Sequence, residues 1–255
     1  MTEMLTAKEV QDLLQVDRST VYRMAEGHRL PAVKVGRQWR FPANQIEKWL
    51  VQQANPLALT PDTSQNVSQS STPLIEELPL DCVQLIQDTF ADSMGVMMIM
   101  ADMNGRPVTQ VSNPCGLFTA TMPQAMDKCK QQWQEMAATI DMKPKYIVSH
   151  LQLICTRGLI RQGTQLKGMV FAGGIAPQNW PPSPEAIEKI TNDLGVETAV
   201  IAEHINEVYY LDDAQQTHVL SLVQRVADVV SHILNERGQL LSKLDAIANL
   251  TTITN

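Results

Sequence analysis

The sequence has no apolar run long enough to cross a bilayer, and it opens without the charged, apolar and small-residue succession of a secretory leader. A cytoplasmic protein with no membrane partner is the expectation. Cysteine is scarce, four in 255 residues, which points to free thiols in a reducing compartment rather than a disulfide framework. Catalytic signatures are missing too. There is no nucleophile elbow, no HExxH and no recognisable pair of catalytic carboxylates, and Gly173-Gly174 matches neither a dinucleotide fingerprint nor a P-loop. An enzyme is not expected.

Basic charge is also in deficit: 20 Lys and Arg stand against 27 Asp and Glu, a net charge of −7. That excludes wrapping of nucleic acid by the whole chain but not binding by one module. The first fifty residues hold eight basic against six acidic residues, so the remainder holds twelve against twenty-one. The basic charge that exists is therefore concentrated at the N-terminal end.

That end reads as a helix-turn-helix with a wing. Thr6 followed by Glu9 is a capping box, and Val10, Leu13 and Leu14 give the first helix an apolar face. Val16-Asp17 makes a turn, and Asp17 or Ser19 caps a second helix carrying Arg18, Ser19, Thr20, Tyr22 and Arg23. Such a short, basic, hydroxyl-rich helix suits a major groove. Leu30 to Phe41 alternates like a two-stranded ribbon turning at Val35-Gly36, with Lys34, Arg37 and Arg40 available to phosphates. Thr6 joins these residues as a DNA-contact candidate, and Tyr22 suits either the core or a phosphate. Leu13, Val16, Val21, Leu30, Val33, Trp39 and Trp49 are the expected core. LTAKEVQDLL, VDRSTVYRM and LPAVKVGRQWRFP before IEKWL resemble the excisionase-type branch of MerR-like winged helix-turn-helix domains. That resemblance implies double-stranded DNA as partner. The small net charge of the module implies work in pairs, as a homodimer.

The expected organisation is α+β in four parts. A DNA-binding domain over 1–51 is followed by a flexible linker over 52–76, where NPLALTPDTSQNVSQSSTP has too little apolar surface to offset ordering entropy. A sensing domain over 77–212 follows, then a long helix over 213–255. The sensing domain opens with an amphipathic helix, LDCVQLIQDTFADSMG, and continues into VMMIMADMNGRPVTQVS, where Asn-Gly signals a hairpin. A helix around MDKCKQQWQEMAATI precedes two strands, YIVSHLQLICTRGLIRQ and QLKGMVFAGGIAP, turning near Gly163-Thr164. Antiparallel strands with helices around them make an α+β sensor-like domain. The order of these segments resembles the PocR sensory domain, a variant of the PAS-like fold, over roughly Leu78 to Leu244. The resemblance implies a small, hydrocarbon-derived effector.

Cys115, Cys129 and Cys155 match the cysteines of that family's pattern, but Thr156 and Arg157 stand where the family has a histidine and a small residue. Arg157 suggests a ligand with negative charge, and Arg161 is compatible with one. Cys115, Phe118, Cys129, Trp133, His150, Cys155, Arg157 and Phe171 are the ligand-contact candidates. The cysteines read first as small groups lining a pocket, next as redox-responsive thiols, and last as ligands of a metal or iron–sulfur cluster with His150 or Cys82. Spacings of 14 and 26 residues lack the paired knuckles of a metal motif, so the expected cofactor is an unknown small-molecule effector.

In the long helix, Val219, Val223, Val226, Val230, Ile233, Leu240, Leu244 and Ile247 recur at spacings of four and three, interrupted by Arg237, with a break conceivable at Gly238. The stripe serves either a dimer seam, which is favoured, or packing onto the domain's own sheet. Together these features give a ligand-responsive, DNA-binding transcriptional regulator. The alternatives are a constitutive architectural DNA-binding protein, or a metal- or redox-sensing regulator using Cys115, Cys129 and Cys155.

Overall fold

The computed structural model describes residues 4–14, 16–27, 29–36, 38–54, 73–139 and 144–252. The expected tether falls largely on 55–72, and Arg37 on one further gap; both lie outside the described residues. Met4–Leu5 (β1), Ala7–Leu14 (α1), Arg18–Glu26 (α2), Val33–Val35 (β2), Gln38–Pro42 (β3) and Ala43–Ala54 (α3) form the N-terminal part. Its three strands are ordered β1-β3-β2, and Val10, Leu14, Val21, Leu30, Phe41, Ile46 and Leu50 are buried between helices and ribbon. Val33, expected inside, is 48% exposed. The ribbon has one covered face, and all three residues of β2 lie on its exposed rim.

The second part begins with Leu74–Glu77 (α4), Leu80–Met94 (α5) and Met97–Asp102 (β4), then Gly116–Ala120 (α6) and Gln124–Ala138 (α7). Ile147–Val148 (β5), Ile154–Gln162 (β6) and Gln165–Ile175 (β7) follow, and Pro184–Leu194 (α8), Thr198–His204 (α9) and Asp213–Thr252 (α10) complete it. The strands make one antiparallel sheet ordered β4-β7-β6-β5. Alternation along the strands gives the sheet two different faces. Met98, Met100, Ile160, Val170 and Ala172 face α5 and α10, while Ile99, Leu159, Met169 and Phe171 face Phe118, Trp133, Leu151 and Leu153.

Three expectations change. After Asn104-Gly105 the chain returns along β4 through bridges at Pro107 and Ser112 instead of a full strand. Pro107 has no N–H to give, and side chains replace part of the ladder: Thr109 Oγ1 accepts from Met100 N–H at 2.9 Å, and Gln84 accepts from Gln110 N–H at 2.9 Å. The segment read as one strand before Gln162 is broken between β5 and β6, where Gln152 adopts φ 60° and Ser149 N–H donates to the Leu153 carbonyl at 2.7 Å. That break carries His150 and Leu151 inward. Finally, α10 runs without interruption through Gly238, and its stripe divides. Val219, Val223, Val226 and Val230 are 0–1% exposed against the sheet, whereas Leu240, Leu244 and Ile247 are 58–60% exposed beyond it. Packing on the domain's own sheet accounts for the first half only.

Candidate nucleic-acid interface and ligand pocket

The start of α2 is organised by one carboxylate. Asp17 caps the helix, accepting from Thr20 N–H at 2.8 Å and from the hydroxyls of Ser19 and Thr20. Those bonds, Ser19 first, hold its carboxyl down at about 2, so it stays charged at every ordinary pH. Thr6 is engaged likewise: its N–H donates to Glu9 at 2.8 Å and its hydroxyl accepts from Glu9 N–H at 3.3 Å. The hydroxyl candidates Thr6, Ser19 and Thr20 are thus tied into helix caps. Arg18 lies over the Tyr22 ring at 5.4 Å and donates to its hydroxyl at 3.0 Å, which aligns both along the outer face of α2. Arg23 is exposed one turn on from Ser19. On the ribbon, Lys34 stands over the Trp39 ring at 5.6 Å and Arg40 donates to Gln38 at 2.9 Å. The exposed cations Arg18, Arg23 and Lys34 form the charged part of this surface.

A pocket opens on the front of the second sheet. Met97, Ile99 and Phe171 form its floor, Phe118, Cys129 and Trp133 one wall, and the turn from Ser149 to Leu153 with Cys155 the other. Its internal volume is about 40 Å³, enough for about three water-sized groups. Trp133 stacks on Phe171 with centroids 4.9 Å apart and planes 22° apart. Both ring nitrogens of His150 are shielded from solvent and lack a hydrogen-bond partner. Burial, with Lys128 adding to it, lowers the imidazole to about 4, so it is neutral at pH 7 and offers one donor and one acceptor. Burial likewise pushes the Cys129 and Cys155 thiols up to about 12. They stay protonated and are poor nucleophiles in this state. Among the described residues, no group of three or more His, Cys, Asp or Glu side chains is arranged to hold a metal ion.

Six ligand candidates, Phe118, Cys129, Trp133, His150, Cys155 and Phe171, therefore converge on one cavity. Cys115 sits behind it: a Cβ on Gly174 would lie 3.4 Å from its Sγ. Arg157 lines a separate open groove, where its guanidinium donates to the carbonyls of Met136 and Thr139 at the C-terminal end of α7. Arg161 is buried beside α10, 3.9 Å from Asp228. The lining also includes Met97, one of a cluster of methionines that suits either an adaptable pocket lining or ordinary core, and Ile99, Ser149, Leu151, Leu153, Gly173 and Gly174, which the sequence did not single out as ligand contacts. The glycine pair was the available signal, since a Cβ on Gly173 would come within 3.0 Å of the Cys155 Cβ.

A family model described as the sensory domain found in PocR matches residues 76–235, well over half of the chain. The chain belongs to the PocR sensory-domain family. In this family member the matched span contains the whole sheet, the pocket and the part of α10 that packs on them. A helix-turn-helix domain model matches residues 4–54, so this PocR-domain protein joins a DNA-binding module to a sensory one. Over 49 residues, 19% of its length, it is 43% identical to two Mycobacterium tuberculosis proteins whose names carry a DNA-binding designation. These are MT0521 (strain CDC 1551 / Oshkosh) and Rv0500A (strain ATCC 25618 / H37Rv), and the match spans 63% of each. The solved IclR of Thermotoga maritima aligns over 80% of this chain and 92% of that one, with 8% identity and a TM-score of 0.22, too low to carry an argument. No helix among the described residues is long and apolar enough to cross a membrane.

Proposed function

We propose that the protein is a transcriptional regulator in which a small molecule in the PocR-domain pocket modulates operator binding by a dimer. The observation that carries this is the small apolar pocket with the unpartnered imidazole of His150, on the same chain as a helix-turn-helix. Unpaired buried polar atoms are uncommon in native proteins and often mark a missing partner. Here the surrounding chemistry favours a neutral effector of about three to five non-hydrogen atoms, mostly apolar, with one hydroxyl or carbonyl for His150. An anion is disfavoured because neither Arg157 nor Arg161 lines this pocket: the first binds carbonyls at the end of α7 and the second lies beside α10. DNA enters at α2, with Arg18 and Arg23 toward the major groove and Lys34 toward flanking phosphates. The exposed leucines of the distal α10 segment serve dimer contact.

The test compares native and denatured masses of the full chain purified from its host, for wild type and His150→Phe. The expected result is a small extra mass lost on denaturation and absent from the variant, with DNA binding retained by both. Bare protein in both, with operator affinity unaltered across growth conditions, would favour the constitutive architectural reading.

A further inference from the structure

Among the described residues, no strand covers most of the outer edge of β6. β5 pairs with β6 only through Ile154 and Cys155, and beyond them β6 is flanked by α10. Side chains of that helix meet the open backbone groups. Gln224 accepts from Leu159 N–H at 3.0 Å and donates to the Leu159 carbonyl at 3.2 Å, so its carboxamide presents the donor–acceptor pair of a neighbouring strand. Ser231 accepts from Arg161 N–H at 2.9 Å, and Asn235 from Gly163 N–H at 3.1 Å. Spacings of seven and four put the three residues on one stripe of the helix. The stripe is braced from its own side: Gln224 donates to Asp228 at 2.9 Å, Ser231 to the Ala227 carbonyl at 2.6 Å, and Asn235 to the Ser231 carbonyl at 2.9 Å.

Two further observations place this joint under tension between order and release. Gly158 allows the strand to touch the helix backbone, since a Cβ there would lie 2.5 Å from the Val223 carbonyl oxygen. Arg161 is only 3% exposed, yet its Nε and Nη1 have no partner. A buried cation this incompletely bonded opposes tight closure.

We propose that α10 is a regulatory clasp: its Gln224–Ser231–Asn235 stripe stands in for a missing strand on β6, and an occupant of the front pocket loosens it by pushing on β6. Cys155 connects the two sides, because it lies on β6, lines the pocket and packs against Gly173. Directional hydrogen bonds weaken steeply with misalignment, so a small displacement of the strand opens them. The helix leaves the sheet near Gly238, beside Gln162, and carries exposed Leu240 and Leu244 beyond it. Release of the clasp therefore reorients the segment that presents those leucines. The direction of the signal rests on the pocket reading above; the clasp rests on the hydrogen bonds alone.

The experiment is hydrogen–deuterium exchange on the full chain, resolved at the amides of Leu159, Arg161 and Gly163. All three should exchange slowly in the wild type although they line a sheet edge. Asn235→Ala should speed exchange at Gly163 about tenfold, and Asn235→Asp, which keeps the acceptor, should restore it. Gly173→Ala adds a methyl group against Cys155 and should speed all three amides while leaving those of β4 unchanged. Cys155→Val is the second wedge if that variant does not fold. Fast exchange at the three amides in the wild type, or no effect of Asn235→Ala, overturns the clasp. An effect of Asn235→Ala with both wedges silent overturns its link to the pocket. Neither outcome touches the ligand reading, which the bound mass decides.

Discussion

The two faces of the PocR-domain sheet use the same strands for opposite ends. Behind, Met98, Met100, Ile160, Val170 and Ala172 meet the valines of α10 and residues of α5, and the large apolar groups there are sealed. In front, Ile99, Met169 and Phe171 meet a layer that leaves about 40 Å³ unfilled and an imidazole without partners. Close packing is worth most where nothing has to enter. The back face therefore carries stability, and the front face keeps the unfilled space on which the proposed effector reading rests.

The hardest way to break that contrast is to put a charge into the sealed side. Val226→Asp places a carboxylate without a partner at a 0% exposed site and should cost more than about 4 kcal/mol, read as loss of the cooperative unfolding transition in urea. The front face should show its incompleteness in acid. With the folded-state imidazole of His150 at about 4 against 6.5 when free, the unfolded chain binds more protons between those values. Stability is then full above about pH 6.5 and falls as pH drops toward 4, by about 3 kcal/mol in all. Urea unfolding at pH 7.5 and 4.5 should show that loss in wild type and lack it in His150→Leu. At the DNA surface, Arg23→Ala should weaken operator binding about tenfold and reduce the salt slope by about one, measured by fluorescence anisotropy at several salt concentrations. The smallest effect is expected at the cap: Asp17→Ala removes the acceptor of the Thr20 N–H and should lower the melting temperature slightly, with the fold retained.

Much of this was legible in the residues because local chemistry set it. The capping box at Thr6 and Glu9, the Asp17 cap, the turn at Gly163-Thr164 and the helix from Asp213 all depend on neighbours in the chain, and all appear as expected. Six of the eight ligand candidates line one pocket, among them two of the three family-matched cysteines, Cys129 and Cys155. What sequence reading missed depends on distant partners. The split of the α10 stripe follows from where the sheet ends, which no heptad pattern reveals. The engagement of Arg157 follows from the end of α7 meeting β6, 18 and 21 residues apart in sequence at the two carbonyls. The replacement of a strand by Gln224, Ser231 and Asn235 needs the helix and the open edge together.

The guanidinium of Arg157 has one more consequence. By gripping the last carbonyls of α7 it complements that helix's dipole and bolts the helix to β6 at a point two residues beyond Cys155. Trp133 on α7 and Cys155 on β6 are opposite jaws of the pocket, so the bolt sets the gap between them as the screw of a caliper does. On the function proposed above, the size of an acceptable guest is therefore set at this bolt, outside the pocket, and not by the groups that line it.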